Sequence, residues 1–418
     1  MSGAPPLRRC GDPMHLDTFL LSLLLMLLLA KILAQLCWHL GLPAVVGELS
    51  AGLVLGPSLL GWVQPHLQLQ NLAELGVVTL MFVIGCETSI KRLMHSGPRV
   101  LTVALSGVLV PAMVIPPMVH WLLPAPPLEA LFFGVALTAT SIGIAMRVLR
   151  LNHQDRGVMG HTILGAAIID DVLGVLLLGL MFSLSNGDLE PTRLFLQLVT
   201  IVLFLMLAPV ATRVLIYLLK PLAKRDLLPG FHASTVLLLI CLFGWLAYLC
   251  GTPPLLGGFA AGLGVSRHFT SPWSKWLVNP FSFTRQLEHA SGPLNDVLAP
   301  LFFSYVGLSI DLSQHALTPA FLVVALALTT AAVLAKLQCG LWIAASWRQK
   351  MMLGSAMVPR GEVGLVFAEM GRQVNLLGAE GFTLLVLVIT LTTIVGPVML
   401  KWACSPPVAQ GQGGGSPD

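Results

Sequence analysis

Charge is the scarcest commodity in this sequence. Only 10% of its 418 residues are Asp, Glu, Lys or Arg, against about 25% in a soluble globular chain. With 56% apolar residues and a mean hydropathy of +0.86, that scarcity excludes a soluble domain. Metal-ligand and redox spacings are missing as well. The seven cysteines (Cys10, Cys37, Cys86, Cys241, Cys250, Cys339, Cys404) form no CxxC pair, are odd in number and fall mostly in apolar runs. They read as packing residues, not as a disulfide frame. No HExxH occurs, which excludes a zinc protease of that type. No GxGD occurs either, and the one pair of mid-run aspartates is adjacent on a single segment. An intramembrane aspartyl protease needs its two carboxylates on facing elements, sharing a proton. The chain is therefore not expected to be an enzyme, to carry a cofactor, or to bind nucleic acid.

Apolar runs of bilayer-spanning length, roughly 20 residues, recur from end to end. Charged and Pro/Gly-rich punctuation divides them into about thirteen helices. These are expected at 16–37, 43–63, 71–91, 99–122, 128–149, 158–184, 193–220, 231–250, 252–267, 284–312, 318–346, 351–371 and 377–402. The ninth is short and reads as partly re-entrant. Arg8 and Arg9 before the first run imitate a signal peptide, but the run is too long and holds Lys31, so it reads as a membrane helix. Residues 404–418, rich in Gly, Pro and Ser, read as a disordered tail. Alternate short loops hold Lys91, Arg92, Arg99, Arg147, Arg150, Arg156, Lys220, Lys224, Arg225, Arg267, Lys275, Arg285, Arg348, Lys350 and Lys401. The opposite loops hold only Arg8, Arg9, Arg193 and Arg372. Cytoplasmic loops carry the cations, so the C-terminus is expected inside and the N-terminal residues 1–15 outside. HFTSPWSKWLVNPFSFTR, at 268–285, reads as an interfacial connector from its tryptophans and cations.

The chain echoes itself. Ala51-Gly52-Leu53 aligns with Ala261-Gly262-Leu263 at an offset of 210, and Gly85 with Gly307 at 222. An offset that absorbs seven helices inverts the second copy, so two inverted six-helix repeats are expected, with the seventh helix as connector. Inverted repeats place a transport site near the bilayer midplane. Two helices in equivalent positions carry breaks. LTATSIGIAM (137–146) has Thr138, Ala139, Thr140 and Ser141 at its centre, and MVPRGEVGL (357–365) has Pro359, Arg360 and Gly361. Small, hydroxylated, Pro and Gly residues loosen a helix. Such a pair of interruptions points to an ion site, because unwound backbone offers carbonyl oxygens.

AIIDDVLG, at 167–174, puts Asp170 and Asp171 inside a run otherwise as apolar as lipid. A lone ionised carboxylate at mid-membrane costs at least ~2.5–3.5 kcal/mol, and adjacent ones repel. One must therefore be paired, protonated or bound to a cation. Successive helical residues point about 100° apart, so the two can take different partners. Lys336 stands in the apolar run AAVLAKLQCG and is the candidate partner for one of them. Glu48, Glu74 and Glu87 lie near helix ends or crossings and read as structural, while His120, His153 and His161 read as helix-end residues.

AIIDDVLG, TATSIGIAMRVL, LPAVVGELSAGLVLGPSLLG (42–61), LGVVTLMFVIGCET (75–88), PLFFSYVGLSIDL (300–312) and MVPRGEVGLVFAEMG (357–371) together resemble the monovalent cation:proton antiporter-2 family. The sequence is most similar there to bacterial sodium/proton antiporters with a paired-aspartate motif. The resemblance covers residues 14–403. It implies an NhaA/NapA-like antiporter fold, an all-α polytopic protein with two crossing discontinuous helices. It further implies an antiporter domain over 16–403, with transport-core helices at about 99–184 and 318–402 and dimer or scaffold helices at about 16–91 and 193–312. By the same resemblance Asp171 carries the transported Na+ or H+, Asp170 pairs with Lys336, and Thr140 and Ser141 line the crossing. Arg360 and Glu362 balance the helix ends. Ile169 stands where some relatives have a hydroxyl residue, and Asp170 where glutathione-gated potassium/proton relatives have glutamine. The function implied is electrogenic Na+ (or Li+) for H+ exchange by alternating access in the plasma membrane, among lipid and as a homodimer, serving cation and pH homeostasis. K+/H+ exchange is the nearest alternative, and Na+-coupled organic-anion symport a more distant one.

Overall fold

The computed structural model describes residues 16–88, 97–154, 158–185, 191–223, 230–266, 281–310 and 318–404. The expected outer tail, the C-terminal tail from 405, most of the interfacial stretch 268–285 and the loop cations Lys91, Arg92, Arg156, Lys224, Arg225, Arg267 and Lys275 lie outside the described residues. The described chain is helical throughout. In order the helices are α1 (Leu16–His39), α2 (Ala44–Leu55), α3 (Leu67–Glu87), α4 (Pro98–Leu122), α5 (Pro127–Ala136), α6 (Ile142–Leu151), α7 (Val158–Ser185) and α8 (Pro191–Ala223). They continue as α9 (Phe231–Leu249), α10 (Pro254–Val265), α11 (Phe281–Leu308), α12 (Pro319–Leu337), α13 (Trp347–Ala356), α14 (Gly361–Gln373) and α15 (Ala379–Cys404). Among the described residues, eight helices are long and apolar enough to cross a membrane.

Several boundaries move from their expected places for local reasons. The second helix stops at Leu55, where Gly56 and Pro57 end it, rather than at 63. The segment expected at 318–346 is α-helical only to Leu337 and tightens into a 3-10 turn over Gln338–Trp342. The next helix begins at Trp347, earlier than expected, because Ser346 and Gln349 form a reciprocal capping box, which satisfies two free N–H groups at a helix start. The short ninth segment, α10, is one uninterrupted helix between Pro254 and Val265, buried from Leu255 onward.

The helices pack in two groups. α1, α2, α3, α9, α10 and α11 pack on one another, as do α4, α5, α6, α7, α12, α13, α14 and α15; α8 touches both through α7 and α10. The first group is assembled by glycine. A β-carbon at Gly52 would fall on the Ser304 carbonyl, and one at Gly307 would lie 3.1 Å from Gly52 Cα; these bring α2 onto α11. A β-carbon at Gly262 would fall on the Phe82 carbonyl, and one at Gly85 would lie 3.1 Å from Gly262 Cα; these bring α10 onto α3. Lipid supplies no hydrophobic drive between helices, so such backbone contact and small residues hold membrane bundles together. The outward faces are apolar: Leu20, Leu24, Leu28 and Ile32 on α1 and Met206 and Leu207 on α8 are exposed.

Candidate functional site

Two helices break at the centre of the second group. Residues 137–141 separate α5 from α6, and 357–360 separate α13 from α14. The unwound strands cross and bond to each other. Ser141 N–H donates to the Pro359 carbonyl at 2.8 Å, and Thr140 Oγ1 donates to the Met357 carbonyl at 3.3 Å. Gly361 has φ +46°, the left-handed region that a side chain resists. A β-carbon there would sit 2.7 Å from Ser141 Oγ. Its N–H is satisfied by Thr393 Oγ1 on α15 at 2.9 Å.

Charged groups stand at the broken ends. Arg360 is fully buried and donates through Nη1 to the Ala139 carbonyl at 3.1 Å and through Nη2 to the Ala332 carbonyl at 3.2 Å. Glu362, in the first turn of α14, accepts from Ser141 Oγ at 2.8 Å, just before the first residue of α6. A carboxylate at two helix starts meets the positive end of both dipoles.

α7 runs beside this crossing; a β-carbon at Gly174 would lie 3.6 Å from the Phe367 ring on α14. Asp170 is 1% exposed and Lys336 0%. Lys336 Nζ lies 3.0 Å from both carboxylate oxygens of Asp170, joining α7 to the last turn of α12. Asp171 is 5% exposed. Its Oδ1 is buried with no hydrogen-bond partner among the described residues, and Glu362, Lys336 and Glu87 lie within its electrostatic range. A cavity of about 220 Å³ reaches Glu362 from between the two helix groups, lined also by Lys31, Glu48, Asn295 and Asp296.

The structure thus brings Asp170, Asp171, Lys336, Thr140, Ser141, Arg360 and Glu362 into one neighbourhood. Thr393 and the carbonyl of Ala332 belong to it too, and reading the sequence missed them. The only signal for Thr393 was the polar cluster TLTT at 390–393 in an apolar run, easily taken for ordinary helix-facing threonines.

An all-helical membrane protein whose two broken helices cross beside a buried, half-paired aspartate couple is a secondary transporter by architecture. Residues 22–405 match the family described as sodium/hydrogen exchanger, transmembrane. The chain is 32% identical over 402 residues to a Na+/H+ antiporter of Enterococcus hirae, covering 92% of this chain and 97% of that one. It is 31% identical over 392 residues to the Na+/H+-K+ antiporter GerN of Bacillus cereus, covering 92% and 96%. The solved structure of the sodium proton antiporter MjNhaP1 from Methanocaldococcus jannaschii matches the fold with a TM-score of 0.68 at 16% identity, covering 92% of this chain and 97% of that one. The chain belongs to the sodium/hydrogen exchanger transmembrane family; it is a multi-pass membrane transporter and not an enzyme.

Proposed function

We propose that this protein exchanges Na+ for H+ across the plasma membrane by alternating access, with Asp171 as the carrier of both. The carrying observation is the buried Asp171 Oδ1 left without a partner next to a sister carboxylate that has one. An ionised, empty Asp171 is expensive in an apolar interior. Either a proton or a cation neutralises it, and the two compete for one carboxylate. Exchange is obligatory because the empty form does not cross.

The remaining roles follow from position. Thr140, Ser141 and the freed carbonyls of the two breaks line the cation's surroundings. Arg360 offsets the carbonyl ends of the broken helices and Glu362 their N–H ends. Lys336 is a second proton store: when a cation at Asp171 draws Asp170 from the lysine, the bare ammonium loses its counter-charge and releases a proton. More protons than cations then move per cycle, which makes exchange electrogenic. The second helix group, with 99–184 and 318–402, is the moving core; the first is the scaffold and the surface for a homodimer in lipid.

The glycine contacts support the inverted repeat. Position 52 maps to 262 at an offset of 210 and 307 maps to 85 at 222, so the contact Gly52–Gly307 becomes Gly262–Gly85 with its partners exchanged. A two-fold axis in the membrane plane requires that exchange. The hydrogen bonds Ser58 Oγ to the Ile310 carbonyl, 2.6 Å, and Ser266 Oγ to the Thr88 carbonyl, 2.9 Å, echo it at the helix ends, with Ser266 two residues short of the 210 register. Counting each broken pair as one crossing gives thirteen crossings, with the C-terminus cytoplasmic.

K+ is the second reading for the cation, favoured by the likeness to the Na+/H+-K+ antiporter of Bacillus cereus. Ion jumps on proteoliposomes holding a pH gradient, with Na+, Li+ and K+ in turn and the voltage clamped or free, test both. Na+ alone is expected to collapse the gradient. Collapse by K+ with none by Na+ shifts the reading to K+/H+ exchange, and no collapse by any of the three defeats antiport.

A further inference from the structure

Six polar residues close a ring between the two helix groups, at the far end of α14 from the cavity that reaches Glu362. Three belong to the first group: Gln70 and Glu74 on α3 and Tyr305 on α11. Three belong to the second: Glu369, Arg372 and Gln373 on α14. Gln70 Nε2 donates to Glu74 Oε1 at 2.9 Å. Gln373 Nε2 donates to the same Glu74 oxygen at 3.2 Å and to Glu369 Oε1 at 3.1 Å. Arg372 holds Glu369 with two bonds, 3.0 and 2.7 Å. Its guanidinium lies 5.8 Å from the centroid of the Tyr305 ring, and Tyr305 OH donates to Gln70 Oε1 at 3.5 Å. Five of the six, all but Arg372, line a chamber of only about 60 Å³ between the two groups, with Val366, Phe302 and Val78 among its apolar walls.

The other end of the same interface is different. There the cavity is about 220 Å³, Lys31 Nζ donates to the Asp296 carbonyl within its own group at 3.0 Å, and no hydrogen bond joins Glu48 to Glu362 among the described residues. Glu362 and Glu369 are seven residues apart on α14, about 10 Å along its axis, so one helix runs from the open end to the shut end.

Resting on the exchange reading above, we infer that the six-residue ring is a gate, latched by Glu74, that holds one access path shut in this state and parts when the core moves. The ring crosses between the groups at two points, Gln373 to Glu74 and Arg372 to Tyr305. Parting there leaves no charge bare. Arg372 keeps its bidentate Glu369 on the core, and Glu74 keeps Gln70 on the scaffold, where water enters as the gap opens. The polar contacts that opening breaks are one charge-assisted hydrogen bond and one cation–ring contact, small enough for a motion repeated every cycle.

Two arms test the gate. In the first, Val366→Cys places a thiol in the chamber and serves as the parent of this arm; its labelling by a membrane-impermeant thiol reagent is measured in proteoliposomes, with the chain lacking that cysteine labelled alongside to subtract native cysteines. Glu74→Ala is expected to raise the labelling rate about tenfold, the population shift set by losing one charge-assisted bond. Glu74→Gln, which keeps an acceptor for Gln373, is expected to leave it near the parental rate. Equal labelling in Glu74→Ala and the parent overturns the proposal. In the second arm, Glu74→Cys with Gln373→Cys is bridged by a short bis-methanethiosulfonate, each cysteine thiolate forming a disulfide with the linker as methanesulfinate leaves. Exchange is expected to fall to background and to return on reduction; a bridged protein that exchanges at the unbridged rate also overturns it. Labelling needs no transport, so if the parent moves no Na+ and the exchange reading fails, the first arm still decides the gate.

Discussion

The molecule contains two kinds of helix crossing, and they are opposites. At Gly52–Gly307 and Gly85–Gly262 intact helices meet backbone against backbone, with no room for a β-carbon. At 137–141 and 357–360 broken helices meet through hydrogen bonds, a buried arginine and a carboxylate. The first kind spends every atom on contact and has nothing left to bind with. The second gives up helical hydrogen bonds and keeps polar groups in the membrane interior, where each has to be justified by a partner. Close backbone packing and buried polar groups thus fall in different helix groups of one chain, and the exchange reading needs that division: a stiff frame and a core that carries charge past it.

Five substitutions sharpen or break the contrast. Asp171→Asn has the largest expected effect, exchange reduced to background with the protein still eluting as a folded species in detergent. Loss of folding along with transport would mean that Asp171 is structural. Lys336→Ala leaves Asp170 as a buried, unpaired charge and is expected to cost about 3–5 kcal/mol in thermal unfolding. Restoring neutrality with Asp170→Asn in the same chain should recover much of it. Asp170→Asn alone should leave exchange running while removing its voltage dependence. Gly85→Leu drives a side chain into the Phe259 carbonyl, backbone that cannot change rotamer, and should destabilise by about 3 kcal/mol with exchange per folded molecule little changed. If instead stability holds and exchange collapses, the frame is not the passive partner. Thr393→Ala is the smallest, about 1–3 kcal/mol in thermal unfolding for leaving the Gly361 N–H buried and unsatisfied, with cation binding weakened alongside.

Much of this division could be read before any coordinates. The helices were legible because apolar runs of bilayer length are unambiguous, and the breaks because Thr-Ala-Thr-Ser and Pro-Arg-Gly are so unlike their surroundings. Asp170 and Lys336 stood out as charges alone in apolar runs, and they meet at 3.0 Å. The 3-10 turn after Lys336 did not stand out, since Leu-Gln-Cys-Gly-Leu-Trp reads as continued apolar helix and only its packing against α4 and α13 fixes the tighter winding. Nor could the six-residue ring be seen. Its members come from positions 70–74, 305 and 369–373, each near a helix end where polar residues are routine; Arg372 entered only as a loop cation in the orientation count. Pairings across hundreds of residues leave no local trace.

The left-handed turn at Gly361 has one more consequence. With Pro359 two residues before it and Ser141 packed where a β-carbon would stand, the break between α13 and α14 cannot close into a continuous spiral. On the exchange reading an arriving ion meets a socket already cut, so its capture should be accompanied by little ordering of the chain. Titration calorimetry on the solubilised protein is expected to record a small heat-capacity change, well below that of a segment that folds around its guest.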